Sequence, residues 1–280
     1  MQLRFSRRRW IYAADLPNRF SLLNDSPDFS NSHSPVFLRG CPADLAKELA
    51  KRGWHTLPIG SEARLNLRGN HVEKRSLQAL IRRGNRWGVA REMEMDAANA
   101  KKFVVLQQHS RHGGEPQLRY LFRDDFWQCQ RCFAFVGAKG RWLGSVLLTQ
   151  NTPGGWHTEM ILRARKAPVG IMEALFGHIF AVLKAEQQQR WSLGEVPFYH
   201  RKPLTGGKAR LIARAGKSLK FAYNYAGLFH FKNKFSPDWQ PLFLCAKPRI
   251  TLPMLLDVFI QTRYAHLAAY RLGRLLKIEE

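Results

Sequence analysis

The chain has 280 residues, of which 45% are hydrophobic, and its 45 lysines and arginines against 21 aspartates and glutamates give a formal net charge of +24. The apolar content is that of a globular protein and excludes wholesale disorder. The charge favours phosphate-bearing partners, either nucleic acid or an anionic membrane surface, over a merely soluble basic protein. No run of about 18 uninterrupted apolar residues predicts a membrane-spanning helix, so we expect a cytoplasmic protein that associates with the inner membrane face only peripherally.

The four cysteines are too few and too scattered for a disulfide scaffold. Cys129 and Cys132 form a C-x-x-C pair, but no second C-x-x-C or H-x-x-x-H lies nearby to complete a zinc site. A thioredoxin-like motif opens a helix after a strand, whereas this pair precedes a strand-like run. We therefore predict reduced thiols and no structural metal.

The first part of the chain predicts an irregular lead-in over 1–35, followed by a β-α-β pattern and two helices. Gly53 ends the first helix of this part. The periodicity predicts these elements in order: a strand over 35–39, a helix over 43–52, strands over 54–59 and 64–67, and helices over 71–83 and 96–109.

The helix over 71–83 and the residues just after it carry a run of cations without acidic partners. These cations are Lys74, Arg75, Arg82, Arg83 and Arg86. A charge run on a helix is usually a solvated face, but the absence of acids favours contact with phosphate.

The second part of the chain has the element order of a GNAT-type acyltransferase, in which an activated acyl donor lies where the central strands separate. The predicted elements are strands over 133–136, 142–149 and 156–162, a helix from 168 to about 186, a strand over 190–193, a short helix that includes 228–235, and a strand over 240–246. An acetyl-CoA enzyme of this kind carries R/Q-x-x-G-x-G/A before the long helix, so that backbone N–H groups hold pyrophosphate. The corresponding residues 163–170, RARKAPVG, contain one glycine, and Pro168 lacks an N–H. We therefore predict no CoA cofactor.

A stretch rich in aromatic residues surrounds Lys232 and Lys234. Leu228, Phe231 and Phe235 recur at helical spacing and are expected to be buried, with the lysines mostly off that face. The stretch is either an aromatic core element with solvated lysines or a basic helix beside a pocket for an anion.

The segment 251–280 predicts a basic amphipathic helix. The apolar face comprises Val258, Ala265, Ala269, Leu272 and Leu276, and the other side carries Arg263, Arg271, Arg274 and Lys277. Such a helix suits the surface of an anionic bilayer. The alternative is a C-terminal helix packed on the domain.

Three segments resemble, in the same order, the C-terminal catalytic region of phosphatidylglycerol lysyltransferases, also called lysylphosphatidylglycerol synthetases. They are HTEMILRARKAPVGIMEALF (157–176), RWSLGEVPF (190–198) and YNYAGLFHFKNKFSPDWQPLFL (223–244). Upstream, IGSEARLNL (59–67) and KRSLQALIRRGNRWG (74–88) are similar to earlier segments of that region, so the resemblance covers about residues 36–245. The core GLFHFKNKF is also similar to the Fem-type aminoacyltransferases of peptidoglycan.

The resemblance implies an α/β (α+β) protein with a tandem GNAT-like fold, whose mixed central sheets are flanked by helices. The implied division is a shortened first half over 36–128, a second, catalytic half over 129–250, and the C-terminal helix. It further implies aminoacyl-tRNA as the co-substrate, no cofactor, and the glycerol hydroxyl of phosphatidylglycerol as the acceptor in founding members.

The resemblance also suggests two catalytic candidates. Because an aminoacyl ester is already activated, attack by an acceptor needs proximity, a route for the proton and stabilisation of the oxyanion rather than a covalent nucleophile. We predict that Glu159 recognises the α-ammonium of the aminoacyl group or receives the acceptor's proton, with simple pairing to Arg163 as the alternative. Glu195 is the second carboxylate candidate, and His157 is expected to be structural rather than catalytic.

The remaining candidates are assigned binding roles. Glu62 either lines the substrate cleft together with the two catalytic candidates or only pairs with Arg64. The other assignments are Arg163, Lys232 and Lys234 for phosphate of the lipid or the tRNA acceptor end, Tyr223 and Asn224 for substrate hydrogen bonds or core packing, and Lys74, Arg75, Arg82, Arg83 and Arg86 for the tRNA backbone.

The leading hypothesis is an aminoacyl-tRNA-dependent aminoacyltransferase that moves an amino acid, lysine-like or other, onto the hydroxyl group of an anionic phospholipid such as phosphatidylglycerol. The second keeps the donor and changes the acceptor to a peptide, a peptidoglycan precursor or a small metabolite. The third is a non-catalytic nucleic-acid- or membrane-binding module on a GNAT scaffold.

Overall fold

Nine strands and seven α-helices make up the part of the chain that the computed structural model describes, which comprises residues 6–12, 36–123, 125–201 and 221–276 with the single positions 3, 203, 204, 207, 210 and 216. The strands are β1 Arg9–Tyr12, β2 Val36–Pro42, β3 His55–Asn66, β4 Gly88–Met93, β5 Arg131–Gly137, β6 Trp142–Thr152, β7 Gly155–Arg163, β8 Arg190–Pro197 and β9 Asp238–Lys247. The helices are α1 Ala43–Lys51, α2 Arg75–Asn85, α3 Ala97–Gln108, α4 Ile171–Ala185, α5 Tyr225–Asn233, α6 Leu252–Gln261 and α7 Tyr264–Leu276. Short 3-10 turns cover Phe126–Gln128 and Ala138–Gly140.

The nine strands form one mixed sheet in the order β1-β2-β9-β3-β8-β7-β6-β5-β4. The pairs β1/β2 and β7/β8 are parallel, and the other neighbours are antiparallel. The strands that the sequence assigns to the two halves alternate at the centre, because β9 lies between β2 and β3, and β3 lies beside β8. The fold class is therefore α+β with helices flanking a mixed sheet, while the division at 128/129 stays a prediction.

Helix α4 forms the centre of the largest hydrophobic core. Its predicted apolar face is buried, including Leu175, Phe176 and Ile179, and each fully buried side chain of this size contributes about 1.5–3 kcal/mol. The helix begins after Gly170, which has φ +100°, and a Cβ on Gly84 of α2 would overlap the Gly170 carbonyl. Two glycines therefore allow α2 and α4 to cross in direct backbone contact.

Most predicted elements exist, but several bounds are different. The strands predicted over 54–59 and 64–67 are one continuous strand, β3, because the residues between them also pair with β8 and β9. The helix predicted from residue 71 begins at Arg75. Within the predicted lead-in, residues 9–12 form β1, and residues 13–35 lie outside the described residues.

The C-terminal segment forms two helices rather than one. Arg263, with φ +59°, interrupts the backbone between α6 and α7. The buried positions are Met254, Asp257, Tyr264 and Leu267, so the helices pack on the domain as in the alternative interpretation. Ala269, Leu272 and Leu276, predicted to lie on the apolar face, are exposed. Every helix in the described ranges is too short or too polar to cross a bilayer.

Candidate active site at the separation of two strands

The parallel strands β7 and β8 separate shortly after they begin to pair. Their register covers only Gly155–His157 against Arg190–Ser192. Just beyond, the indole Nε1 of Trp191 donates to Thr158 Oγ1 at 2.9 Å, and Gly194 takes a left-handed backbone conformation with φ +85°. This point of separation lies where the GNAT-type order predicts the acyl donor, and we call it the gap.

The ammonium group of Lys232, on helix α5, lies in this gap. Its side chain is 3% exposed, and its Nζ donates to the backbone oxygen of Glu195 at 3.0 Å. A Cβ on Gly194 would lie 3.3 Å from this nitrogen, so glycine leaves the space that the lysine occupies. Burial lowers the pKa of Lys232 to about 7, although the charges of Glu195 and Glu62 act in the opposite direction. The interpretation in which Lys232 is a solvated lysine is therefore wrong.

Glu62 is buried beside the same gap. Its carboxylate accepts hydrogen bonds from Ser192 Oγ and Arg64 Nε, each at 2.5 Å, and His157 Nδ1 lies 3.6 Å from Oε1. Burial acts to raise the pKa of Glu62, but interaction with His157 and the Arg64 charge outweigh it and hold the pKa well below the usual range. Glu62 therefore pairs with Arg64 as one interpretation predicts, and its place in a substrate cleft stays a prediction. We call Glu62, Arg64, His157, Ser192 and Lys232 the splay-point cluster.

Glu195 forms a two-bond ion pair with Arg39 of β2. Nη2 and Nη1 of the arginine each lie 2.9 Å from a carboxylate oxygen, and both side chains are largely buried. Tyr223 is close enough for the charge of Glu195 to act on it. Burial, together with the Glu195 charge, raises the pKa of Tyr223 to about 12. Tyr223 also packs against the hydrophobic cluster that includes Tyr264.

Glu159 is held by groups from two other segments. Thr149 Oγ1 donates to Oε1 at 2.6 Å, and the backbone N–H of Arg123 donates to Oε2 at 2.9 Å, with its guanidinium 3.5 Å from Oε1. Arg163 instead donates to the carbonyl of Ala167 at 2.7 Å. The alternative pairing of Glu159 with Arg163 is therefore wrong, and its cationic neighbour is Arg123.

Lys234 and Asn224 each have a partner within the fold. Lys234 Nζ lies 2.6 Å from Glu173 Oε1 and 5.7 Å from the centre of the Phe231 ring. The Asn224 side chain caps helix α5, because its Oδ1 accepts a hydrogen bond from the Gly227 N–H at 2.9 Å. Their roles in substrate binding stay predictions.

The predicted apolar face of α5 is only partly buried. Phe235 is buried, as expected, whereas Leu228 and Phe231 are half-exposed. The aromatic rings of Phe231 and Phe235 both contact Phe176 of α4. These contacts fix the helix so that Lys232 points into the gap.

The predicted tRNA-binding cations lie apart from the gap, on and next to α2. Lys74, Arg75, Arg82, Arg83 and Arg86 are all exposed. None of them takes part in an ion pair recorded among the described residues.

Several residues of the site are not among the candidates that the sequence indicates. Ser192 lies on β8, and Arg39 and Arg123 come from segments that carry no motif. His157, expected to be structural, borders the carboxylate of Glu62. No local signal points to Ser192, Arg39 or Arg123.

The site offers acid–base chemistry to a bound ester. A buried amine with a pKa near 7 can accept or donate a proton at neutral pH, and it lies beside two carboxylates and an imidazole. In the described residues no group of three or more His, Cys, Asp or Glu side chains is placed to hold a metal ion. Cys129 and Cys132 are buried free thiols, and burial raises the pKa of each to about 12.

The separated strands and the mixed sheet define a GNAT-like fold of the type found in aminoacyltransferases. The structure is similar to that of L-PGS from Bacillus licheniformis, with a TM-score of 0.65 and 19% identity over 81% of this chain and 72% of that one. It is also similar to the C-terminal DUF2156 domain assigned to a lysylphosphatidylglycerol synthetase from Agrobacterium fabrum, with a TM-score of 0.61, 19% identity and coverage of 83% and 73%. FemX gives a TM-score of 0.56 at 9% identity, with coverage of 90% and 82%.

Residues 21–246 match the family described as phosphatidylglycerol lysyltransferase, C-terminal. This match covers most of the chain, and the protein belongs to that family. It is accordingly an aminoacyltransferase. A comparison with curated protein sequences gave no match.

Proposed function

We propose that the protein transfers an aminoacyl group from aminoacyl-tRNA to the hydroxyl group of an anionic phospholipid such as phosphatidylglycerol. The observation that carries the proposal is the buried Lys232 amine between β7 and β8, beside Glu62 and the Glu195 backbone. The family name supports the lipid acceptor, and the departure of 163–170 from a CoA loop supports a donor other than acyl-CoA.

In this reaction the acceptor oxygen bonds to the carbonyl carbon of the aminoacyl ester. The bond between that carbon and the tRNA ribose oxygen breaks, and the acceptor's proton passes through the Lys232 amine to the ribose oxygen. Burial suits Lys232 to this role because it brings the pKa to about 7, so that both protonation states exist at neutral pH.

Glu159 and Glu195 prepare the site before the chemical step, one through its carboxylate and the other through its backbone oxygen. Glu159 binds the α-ammonium of the aminoacyl group, with Thr149 holding its orientation. Glu195 is fixed by Arg39, and its backbone oxygen positions Lys232. The phosphates of the donor and the acceptor are bound by Arg163 and Lys234, the latter exchanging Glu173 for a phosphate.

The acceptor implies that the protein works at the inner face of a membrane. The exposed side of α6 supports this, because Leu252, Leu256 and Ile260 lie four residues apart and are 69%, 49% and 39% exposed. Asp257, the acidic residue of α6, is buried and accepts a hydrogen bond from the Ser6 N–H. We call these three side chains the α6 stripe.

The test is transfer of a labelled amino acid from charged tRNA in the presence of phosphatidylglycerol vesicles. We expect label in the lipid fraction, its loss after ribonuclease treatment, and a strong decrease with Lys232→Met. Label in a water-soluble product would favour the peptide, peptidoglycan-precursor or metabolite acceptor. Binding of tRNA or vesicles without any transfer would favour the non-catalytic module.

A further inference from the structure

A corner of the molecule that includes no residue of the splay-point cluster combines an exposed indole with cations. Trp87 follows helix α2 and is 54% exposed. Its backbone N–H donates to the Gly84 carbonyl at 2.9 Å. None of the aromatic ring contacts of the described residues includes Trp87. About half of the surface of Trp87 is therefore available to a partner.

The turn between β5 and β6 lies at the same corner. Gly88, next to Trp87, pairs with Gly137, and a Cβ on Gly137 would lie 3.3 Å from the Trp87 carbonyl oxygen. The turn that follows Gly137 carries Lys139 and Arg141, and both are exposed. The end of α2 and the turn between β5 and β6, both of which carry cations, therefore lie next to each other at Trp87.

The charge at this corner is of one sign. Residues 74–91 and 137–143 contain no aspartate or glutamate. Their cations are Lys74, Arg75, Arg82, Arg83, Arg86, Arg91, Lys139 and Arg141, and six of these eight are arginines. Planar guanidinium groups bind phosphate oxygens in pairs of hydrogen bonds and favour nucleic acid as the partner.

An exposed indole whose neighbouring chain segments carry arginines is suited to an unpaired nucleotide. Bases of single strands stack on aromatic side chains while nearby cations bind the backbone, whereas bases of a duplex are already stacked on each other. A membrane is the other partner that exposed tryptophan and cations suit. Here Val89 is the exposed apolar side chain nearest to Trp87 in sequence, whereas the exposed leucines and isoleucine lie on α6 and α7.

We infer that Trp87 is a stacking site for an unpaired nucleotide of a bound RNA, with Arg82, Arg83, Arg86, Lys139 and Arg141 on the adjoining phosphates. The identity of that RNA as the aminoacyl-tRNA donor rests on the proposed function. The stacking site itself does not, because it is defined by this corner alone.

The test measures the affinity of the full chain for a short labelled single-stranded RNA, for duplex RNA and for heparin. Trp87→Ala is expected to weaken binding to single-stranded RNA about 5- to 100-fold, while Trp87→Phe retains most of it. Heparin binding of both variants stays unchanged. Arg83→Ala and Arg86→Ala weaken binding to all three polyanions, and each lowers the salt dependence for the single strand by about 0.7.

Trp127→Ala is the matched control, because Trp127 is another exposed tryptophan, at 58%, that lies beside Asp125 and Val104. Equal loss of RNA binding in Trp87→Ala and Trp127→Ala, or no loss in Trp87→Ala, overturns the inference. Loss of binding to anionic vesicles with RNA binding intact identifies a membrane anchor instead. RNA binding through Trp87 without any transfer activity leaves this inference standing and refutes the proposed function.

Discussion

Lys232 is bonded to the backbone of Glu195 and not to its carboxylate. The ammonium donates to the Glu195 carbonyl at 3.0 Å, while both carboxylate oxygens of Glu195 face the guanidinium of Arg39. The buried amine therefore gains a hydrogen bond without a direct ion pair. Desolvation then outweighs the nearby carboxylates, which explains why its pKa is close to neutral.

This arrangement makes stability depend on pH in a defined direction. The folded pKa of Lys232 is about 7, below the ordinary lysine value of 10.5, so the unfolded chain binds more protons between these values. The free energy of unfolding therefore rises with pH in this window and is lowest, through this group, below about pH 7. We expect urea denaturation to show greater stability at pH 8.5 than at pH 7. The upper value is roughly the ordinary thiol pKa, above which the buried cysteines oppose the trend.

Lys232→Met is the control for this dependence. The substitution retains the apolar part of the side chain and removes the titrating amine, so the gain between the two pH values should shrink while the stability at pH 7 is retained or increased. An unchanged gain in the variant contradicts the assignment to Lys232. Transfer activity of Lys232→Met should fall by about 100-fold or more if the amine carries the proton.

Local spacing predicted the frame of this site, and long-range pairing determined its chemistry. The hairpin over 137–140 and the apolar face of α4 follow from periodicity, and the pairing of Glu62 with Arg64 follows from their alternate positions on one strand. Arg39 of β2 and Glu195 of β8 form their ion pair although β9 and β3 lie between their strands, a contact that no local spacing predicts. Lys232 was assigned to the polar side of α5, since periodicity reports which side chains are apolar and not which side of a helix faces a gap.

The ion pair between Arg39 and Glu195 should contribute measurably to stability. Arg39→Ala leaves a largely buried carboxylate without its partner, and we expect the free energy of unfolding to fall by about 1–3 kcal/mol. The double variant Arg39→Met/Glu195→Met should recover part of the loss because neither charge then remains buried alone. Chemical denaturation of the three proteins measures both effects.

An exposed ion pair provides the comparison. Lys51 and Glu48 form an i,i+3 pair in which the lysine is 66% exposed, and Lys51→Ala should change stability by no more than about 0.5 kcal/mol. A loss in Arg39→Ala as small as that in Lys51→Ala would show that the Glu195 carboxylate is solvated.

Glu159 should affect the aminoacyl donor more than the lipid. If its carboxylate binds the α-ammonium, Glu159→Gln removes a charge-assisted hydrogen bond and should raise KM for charged tRNA about tenfold, with a smaller change for phosphatidylglycerol. Glu159→Asp, which keeps the charge, should retain more activity. Steady-state kinetics with each substrate varied in turn measure the difference.

Thr149→Val separates binding from orientation at this position. It removes the hydroxyl that donates to Glu159 at 2.6 Å and leaves the carboxylate in place, so its effect on the donor KM should be smaller than that of Glu159→Gln. Equal effects of Glu159→Gln on both substrates would assign the carboxylate a structural role with Arg123.

The α6 stripe should control partition of the protein onto anionic membranes. Leu252→Ser, Leu256→Ser and Ile260→Ser together remove apolar surface that is available for insertion between lipid headgroups, and we expect binding to phosphatidylglycerol vesicles to weaken at least about tenfold. Binding of the unaltered chain should decrease with salt and on neutral vesicles, because the exposed charges around the stripe, such as Arg249 and Arg274, are cationic.

A second exposed apolar pair tests whether position matters. Val104 and Val105 on α3 are 46% and 54% exposed, and their replacement by serine should leave sedimentation with phosphatidylglycerol vesicles unchanged. The stripe variant should keep transfer from charged tRNA to a detergent-solubilised lipid, because it leaves the splay-point cluster intact. Vesicle binding equal to that of the unaltered chain would remove α6 from the membrane-facing surface.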